Sequence, residues 1–416
     1  MKGLYIHIPF CVRKCSYCDF YSLPVRTDTI ESYVQAVLKE ANSFPLSQRR
    51  TKGDFSLPLS LGAKRGNLRE EEHLTSQASF QTLYIGGGTP SILGPKNLTA
   101  LITGLSKIFT PVGSGLEPDR PAVGEESSLG LAESNIELNP ESATPQFLQT
   151  VKDLGFTRLS FGVQSLNDKE LQSVGRIHTA AQAIAAIKLA KKLDLQSISA
   201  DLIIGLPGQT WTSLHYSLQT LVGMGIQHLS VYCLSLEAGT PLGNNPPPDL
   251  PTDDLQAALF EETRNYLITC GFAHYEISNF ALPRYECLHN LNYWRGGEYL
   301  GLGTAAASHL NGERFKNRTD LDAYLENPTG QIEDVEELDP KEKAAEEAML
   351  RLRLLEEGLN TDELTAKFGS ANTSDIIRCL DKMVQEGLLL QTGSACRLEP
   401  SRILTSNPIF ARVLED

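Results

Sequence analysis

Three cysteines stand within eight residues near the start of the chain, in the segment LYIHIPFCVRKCSYCDFYS. Cys11, Cys15 and Cys18 follow the spacing C-x3-C-x2-C, and Phe20 stands where a further cysteine would continue the pattern. Thiolates are soft ligands that suit zinc, copper(I) and iron–sulfur clusters. Three cysteines on a four-iron cluster leave one iron without a protein ligand. The spacing therefore indicates a cluster whose last coordination site is open to a small molecule.

A structural zinc site is the alternative interpretation of the same thiols. Structural zinc takes four protein ligands, often from two C-x2-C pairs, and the sequence has no second pair. Cys233, Cys270 or His289 would have to complete such a site from a distance. The cysteines outside the cluster have no pairing rhythm, and in a reducing compartment we interpret them as buried small hydrophobic residues. They are Cys233, Cys270, Cys287, Cys379 and Cys396.

Composition limits the classes of protein that fit. A length of 416 residues suggests two or three domains, and 41% hydrophobic residues allow a substantial core. The net charge of −14 argues against a broad nucleic-acid surface. No apolar run is long enough to span a bilayer, and the N-terminus lacks a signal-peptide pattern. We therefore expect a cytoplasmic protein without an integral membrane segment, with peripheral membrane contact left open.

The elements that must position the cysteines alternate between strand and helix patterns. Apolar, β-rich runs at 82–88, 135–140, 158–165, 197–208 and 228–237 follow the first strand, and amphipathic helical patterns lie between them. Such alternation predicts an α/β fold with a parallel sheet, here an incomplete (β/α)6 barrel over residues 1–243. In such barrels the chemistry sits at the carboxyl ends of the strands.

Polar and glycine residues stand at those strand ends. GGGTP (86–90) ends the second strand, where glycines allow close backbone approach to a ligand. Glu137 ends the third strand, Gln164 ends the fourth, Arg176 lies at the start of the next helical stretch, and Asp201 lies in the fifth strand. Each residue alone is more often a satisfied structural group. Together they predict a polar site on one face of the barrel.

The cysteine motif after an N-terminal strand, with Tyr17 before the last cysteine, resembles the radical S-adenosylmethionine (SAM) superfamily. The segment YIHIPFC narrows the resemblance to the oxygen-independent coproporphyrinogen III oxidases and their relatives. The resemblance implies a [4Fe–4S] cluster on Cys11, Cys15 and Cys18, with SAM on the open iron. The SAM contacts that it implies are Tyr5, Tyr17, Gly87, Gly88, Thr89, Glu137, Gln164, Arg176 and Asp201.

A second motif, HNLNYW, lies in residues 289–294. A histidine beside aromatic residues can ligate haem iron or stack on a porphyrin, although a core histidine packed by aromatic rings is the simpler interpretation. H-N-x-x-Y-W resembles the signature of the HemW branch, whose members act as haem chaperones. The resemblance implies haem contact at His289, Asn290, Tyr293 and Trp294.

The remaining segments differ in composition and in predicted secondary structure. Residues 46–79 and 111–132 are rich in Gly, Pro, Ser and charge, and we interpret both as surface insertions that are partly disordered. A linker and an α+β extension occupy 244–335. Residues 336–416 contain three helical patterns (341–359, 361–369 and 373–389) and a hairpin around Gly393, which resemble a winged helix. Ten Lys and Arg against thirteen Asp and Glu over 341–416 argue against DNA binding, so we interpret this part as a structural or protein-contact domain.

Three functions remain open from the sequence. The first is a haem chaperone that carries haem to a client protein, as a monomer or homodimer. The second is oxygen-independent decarboxylation of coproporphyrinogen III, and the third is SAM cleavage in the service of another small substrate. The decarboxylating members have an additional cysteine where this chain has Phe20, and an N-terminal extension where only four residues precede Tyr5. Both differences, together with HNLNYW, favour the chaperone.

Overall fold

The computed structural model describes residues 1–44, 79–111 and 129–415. Its strands are β1 (Lys2–Ile8), β2 (Phe10–Cys11), β3 (Leu23–Pro24), β4 (Ser79–Phe80), β5 (Thr82–Gly87), β6 (Thr110–Pro111), β7 (Glu133–Leu138), β8 (Arg158–Gln164), β9 (Ser197–Ile204), β10 (His228–Cys233), β11 (Ala273–Glu276), β12 (Asn279–Ala281), β13 (Glu298–Leu302), β14 (Ala307–Leu310), β15 (Glu313–Asn317), β16 (Ile332–Glu337), β17 (Leu359–Asn360), β18 (Leu389–Thr392) and β19 (Ala395–Leu398).

The helices of the described residues lie mostly between these strands. They are α1 (Ile30–Ser43), α2 (Gly94–Ile108), α3 (Pro145–Asp153), α4 (Asp168–Ser173), α5 (Ala180–Lys191), α6 (Trp211–Gly223), α7 (Pro241–Asn244), α8 (Asp253–Thr269), α9 (Leu288–Trp294), α10 (Leu321–Glu326), α11 (Pro340–Arg351), α12 (Thr361–Phe368), α13 (Ser370–Gln385) and α14 (Ser406–Glu415). Within these ranges, no helix is both long and apolar enough to cross a membrane.

Six parallel strands form the centre of the main sheet and confirm the predicted barrel. They lie side by side in chain order, β1, β5, β7, β8, β9 and β10. The outer edge of β1 pairs with β13, and the outer edge of β10 pairs with β12. Since both of these edges pair with other strands, β1 and β10 do not pair with each other, and the barrel is incomplete.

Side chains alternate between the two faces along these strands, apart from a register shift between Gly162 and Gln164 in β8. In β1, Leu4, Ile6 and Ile8 belong to the hydrophobic core, whereas Tyr5 and His7 point to the other face. The same alternation along the other five parallel strands gives an apolar outer face under the helices. The inner face carries Glu, Asn, Asp, Ser, Tyr, Arg and His side chains. A polar interior differs from the apolar filling that is usual in a closed eight-stranded barrel, and it provides the groups for a site.

The segment after the barrel does not form a sheet of its own. Strands β11 and β12 extend the main sheet beyond β10, and β13 to β16 extend it beyond β1. The predicted α+β extension therefore completes both edges of the barrel sheet.

The C-terminal part combines α11 to α14 with a three-stranded sheet in the order β17, β19, β18. This arrangement agrees with the predicted winged-helix-like segment. The first predicted helix, 341–359, is too long, because α11 ends at Arg351. Beyond it the Leu355 N–H donates to the Tyr275 carbonyl at 3.0 Å, and Gly358 has a φ of +68°. This stretch is therefore not helical, and it contacts β11 at the edge of the main sheet instead.

Both predicted insertions fall mainly outside the described residues, which exclude 45–78 and 112–128. Their described ends pair as β4 and β6, before β5 and after α2. These described ends lie at the amino ends of the parallel strands, opposite the cysteine segment.

Candidate functional site

The cysteine loop lies at the carboxyl end of the barrel and is fixed on two sides. The Ser16 N–H donates to the Val174 carbonyl at 3.1 Å, and the Leu242 N–H donates to the Ser16 carbonyl at 2.9 Å. Tyr17 packs against a small apolar cluster that contains Val174, Leu206 and Leu242. The loop is thereby anchored to the turn after α4 and to α7, two connections that follow different strands.

Cys11, Cys15 and Cys18 are free, half-buried thiols in this loop. Burial raises the pKa of the Cys18 thiol, and the neighbouring Cys15 and Cys11 raise it further. No three His, Cys, Asp or Glu side chains within residues 1–44, 79–111 and 129–415 are grouped around a single metal-ion position. A four-iron cluster spreads its ligands over separate irons, so it does not need that grouping.

Two of the cysteine sulfurs accept hydrogen bonds from one connected network. The Thr89 hydroxyl donates to Cys11 Sγ at 3.5 Å, and Arg176 Nη1 donates to Cys15 Sγ at 3.7 Å. Asn139 connects the two donors: its Nδ2 donates to Thr89 Oγ1 at 2.9 Å, and its Oδ1 accepts from Arg176 Nη1 at 3.1 Å. Donors aimed at sulfur stabilise thiolates, the form that binds metal.

Arg176 is half-buried and held in place from several sides. Its Nη2 donates to the Gly162 carbonyl at 2.6 Å, while its Nε is buried and without a hydrogen-bond partner among the described residues. Arg176 lies in the turn between α4 and α5 rather than at a helix start. Gln164, at the end of β8, is a buried residue with a φ of +65°. Unusual backbone at a buried polar residue is characteristic of binding sites.

The GGGTP turn lies directly against the entry to the cysteine loop. The Gly88 N–H donates to the Ile8 carbonyl at 2.7 Å, and a Cβ on Gly88 would lie 2.6 Å from the Phe10 carbonyl oxygen. Gly87 has a φ of +104°, which side chains rarely adopt. Gly88 is therefore required by close backbone approach, and Gly87 by its positive φ.

Two carboxyl groups lie in the polar interior just below this turn. Glu137 accepts from the Tyr84 hydroxyl at 2.6 Å and from the Gly87 N–H at 3.2 Å, and Asp201 accepts from the Ser160 hydroxyl at 3.2 Å. Burial raises the pKa of Glu137 to about 7 and that of Asp201 to about 6. Burial also raises the pKa of Tyr5 well above its ordinary value, and Glu137 adds to the rise. A bound cation would favour the ionised form of both carboxyl groups.

The HNLNYW motif lies at the opposite end of the barrel. It forms α9, which packs against the amino-terminal parts of the strands: a Cβ on Gly3 would lie 2.9 Å from His289 Cε1, and Thr82 bonds to His289 Nδ1 at 2.8 Å. The sequence does not reveal this placement, because nothing in the motif specifies which end of the barrel it closes. The structure therefore separates HNLNYW from the cysteine loop.

The four motif residues differ in their surroundings. His289 is fully buried, and its Nε2 pairs with the Tyr293 hydroxyl at 2.8 Å. Burial lowers the pKa of His289 to about 4, so the ring is neutral at physiological pH. Trp294 lies under the guanidinium of Arg353, 4.5 Å from its ring centre, and Asn290 is half-buried.

A buried ion pair fixes the start of α9 to the barrel. Arg158 Nε donates to Glu133 Oε2 at 3.0 Å, and the remaining carboxylate oxygen of Glu133 accepts from the His289 N–H at 3.1 Å. Arg158 Nη2 donates to the carbonyls of Tyr285 and Glu286 at 2.8 and 3.0 Å.

The sequence analysis did not identify the Arg158–Glu133 ion pair or Asn139. Asn139 stands two residues after Glu137 at the same strand end, which was the signal available for it.

Comparison with known proteins agrees with the fold. The model of the Radical SAM superfamily matches residues 65–221. The solved structure of coproporphyrinogen III oxidase (HemN) from Escherichia coli, described as a radical SAM enzyme, matches with a TM-score of 0.77 and 19% identity. The match covers 100% of this chain and 89% of that chain. These matches show that the chain has the radical SAM fold.

Proteins related to this chain by sequence define its family within the radical SAM proteins. The protein named heme chaperone HemW of Escherichia coli (strain K12) is 32% identical over 94% of this chain and 92% of its own length. The HemW of Bacillus subtilis (strain 168) is 29% identical over 100% of this chain and 99% of its own length. The chain belongs to the HemW branch of the HemN-like radical SAM proteins.

Proposed function

We propose that this chain is a haem chaperone that binds haem and transfers it to a client protein. The observation that carries the proposal is the similarity to proteins named heme chaperone HemW, which extends over nearly the whole chain. Phe20, with 64% of its surface exposed, stands where the decarboxylating relatives have their additional cysteine, and this difference supports the chaperone. The proposal keeps the expectation of a cytoplasmic protein, and it assigns the winged-helix-like segment to contact with a protein partner.

We assign a [4Fe–4S] cluster to Cys11, Cys15 and Cys18, and SAM to the polar end of the barrel beside them. The thiols fit such a cluster, because Thr89 and Arg176 already donate hydrogen bonds to two of the sulfurs. The unpaired, buried Arg176 Nε is a further polar group available toward a ligand. When bound, the reduced cluster supplies the electron for cleavage of SAM.

The chain's own residues bind and orient SAM in this proposal. Glu137 and Asp201 provide carboxylates for its cationic groups, and the glycine turn lets the backbone approach it closely. Tyr5, Tyr17, Gln164 and Thr89 surround the same end of the barrel.

The haem contact expected of His289, Asn290, Tyr293 and Trp294 stays a prediction. Direct ligation by His289 would require the ring to leave a fully buried position and to break hydrogen bonds to Thr82 and Tyr293. The experiment on function therefore measures haem binding by the whole protein rather than by this residue.

The test is an anaerobic haem titration of cluster-reconstituted protein, followed by transfer to an apo-acceptor. We expect a saturable Soret change near one haem per chain, and loss of that signal when the acceptor is added. The control is the same protein incubated with coproporphyrinogen III, SAM and a reductant. Decarboxylation of coproporphyrinogen III without saturable haem binding would refute the chaperone proposal and assign the protein as an oxidase.

A further inference from the structure

A continuous set of contacts leads from the HNLNYW helix to the carboxyl group that we assign to SAM. The His289 ring lies against the Tyr84 ring, with centres 5.1 Å apart and planes inclined by 30°. The Tyr84 hydroxyl donates to Glu137 Oε1 at 2.6 Å, and Glu137 Oε2 accepts from the Gly87 N–H of the glycine turn. The motif at one end of the barrel is therefore two contacts away from the binding residues at the other end.

Both ring nitrogens of His289 serve to hold the ring. Nδ1 pairs with the Thr82 hydroxyl and Nε2 with the Tyr293 hydroxyl, each at 2.8 Å. Gly3 leaves room for the ring, because a Cβ there would lie 2.9 Å from His289 Cε1. A ring fixed on two sides restricts the ring that stacks on it, so Tyr84 has little freedom to turn away from Glu137.

We propose that His289 is a positioning residue for SAM binding, which fixes Tyr84 so that its hydroxyl orients the Glu137 carboxylate. The inference rests on the proposed function in one respect, the assignment of Glu137 to SAM. It gives part of HNLNYW a role other than haem contact. It also explains why a buried, neutral histidine with no free nitrogen belongs to the motif.

The experiment compares the SAM and haem affinities of variants by equilibrium titration at pH 7. Tyr84→Phe removes the donor to Glu137, and His289→Ala removes the ring that holds Tyr84. Since a hydrogen bond to a charged group is involved, we expect each variant to weaken SAM binding about tenfold. The double variant should stay near that value instead of reaching about a hundredfold, because both changes act through one contact.

His228→Ala is the matched control for the loss of a buried histidine. His228 is also buried near the amino end of its strand, with both nitrogens paired, to Ser199 at 2.7 Å and to Tyr275 at 2.9 Å, but it does not contact Tyr84 or Glu137. We expect it to bind SAM like the unmodified protein. Should His289→Ala fail to fold, His289→Gln keeps polar ends without a ring face and should weaken SAM binding similarly.

The pH profile of SAM binding gives a second readout. The groups that face Glu137 are Tyr5 of β1, Tyr84 and the Gly87 N–H of β5, Asp201 of β9, Tyr232 of β10 and Tyr293 of α9. Donation from Tyr84 lowers the pKa of Glu137, so its loss should move the midpoint to higher pH in Tyr84→Phe and His289→Ala. His228→Ala leaves the contacts of Glu137 unchanged and should keep the original midpoint.

The outcomes separate the inference from the function on which it rests. Unchanged SAM affinity in His289→Ala, or additive effects in the double variant, would overturn the positioning role. Loss of haem binding with intact SAM binding would make His289 a haem contact instead. Equal losses of SAM affinity in His289→Ala and His228→Ala would indicate general destabilisation instead of a positioning role for His289. Failure of the unmodified protein to bind SAM at all would refute the SAM assignment itself.

Discussion

Replacement of Arg158 by methionine should destabilise the protein through the buried pair under α9. The side chains of Arg158 and Glu133 are only 5% and 6% exposed, and their charged atoms lie 3.0 Å apart. Removal of one partner from such a pair typically costs about 3–5 kcal/mol, because the other charge stays buried without compensation. Arg158→Met also removes the donor to two backbone carbonyls, those of Tyr285 and Glu286. We expect a loss in unfolding free energy within that range.

The assay is denaturant unfolding followed by fluorescence, for which Trp294 at the end of α9 is a local probe. Lys96→Met is the control, because it removes an ion pair with Glu31 whose side chains are 80% and 66% exposed. An exposed pair contributes about 0–1 kcal/mol. Equal stability of Arg158→Met and Lys96→Met would refute the reasoning.

The pH dependence of the same variant follows from Glu133. Arg158 and three donors from α9 and Cys287 outweigh burial and lower the pKa of Glu133 below its ordinary value of 4.5. A lowered pKa in the folded state adds stability above about 4.5, which is lost as the pH falls. The deficit of Arg158→Met should therefore be largest near neutral pH and shrink toward pH 4, where Glu133 without its partner takes up a proton. Glu133→Gln combined with Arg158→Met should recover part of the loss at pH 7.

Three further predictions concern separate parts of the chain. Cys15→Ala should lose the cluster, measured as iron and sulfide content after reconstitution, whereas Cys270→Ala, outside the loop, should keep it. Gly88→Ala should weaken SAM binding at least about tenfold, because its Cβ would meet the Phe10 carbonyl at 2.6 Å, whereas Gly223→Ala meets nothing within 4 Å and should bind normally. Burial raises the pKa of Glu40 to about 7, so its proton favours the folded state and its contribution disappears as the pH rises through 7. Glu40→Gln should therefore show a smaller fall in stability between pH 5 and 8 than the unmodified chain, and an identical fall would contradict this assignment.

Local sequence patterns predicted the central strands and helices well, since each pattern reflects a local preference. Thr179 and Thr210 both form capping boxes at the starts of α5 and α6, so the sequence marks these helices directly. The predicted barrel follows from strand–helix alternation, because short connections leave a right-handed parallel order as the accessible topology. The strands of 273–337 carried no comparable signal for which sheet edge they join.

The candidate site was predictable where its residues stand at strand ends, and hidden where contacts cross the barrel. Glu137 and Gln164 could be found because parallel strands bring their carboxyl ends to one face, and Arg176 because it lies in the connection after the fourth strand. Asn139 gains its importance from its hydrogen bonds to Thr89 and Arg176, which lie in the connections after other strands. HNLNYW was expected to contact haem. The sequence did not show where it lies relative to the cysteine loop, because that position depends on the packing of α9.

The sequence by itself determined the thiol cluster, the order of strands and helices, and the polar residues at the strand ends, because spacing and periodicity act over a few residues. Only the tertiary structure decided that His289 lies at the amino end of the barrel against Tyr84, and that Arg158 pairs with Glu133 beneath it. Those contacts join residues 25 to more than 200 positions apart. Sequence spacing does not encode such contacts, since they depend on which side chains the incomplete barrel brings into one low-dielectric interior.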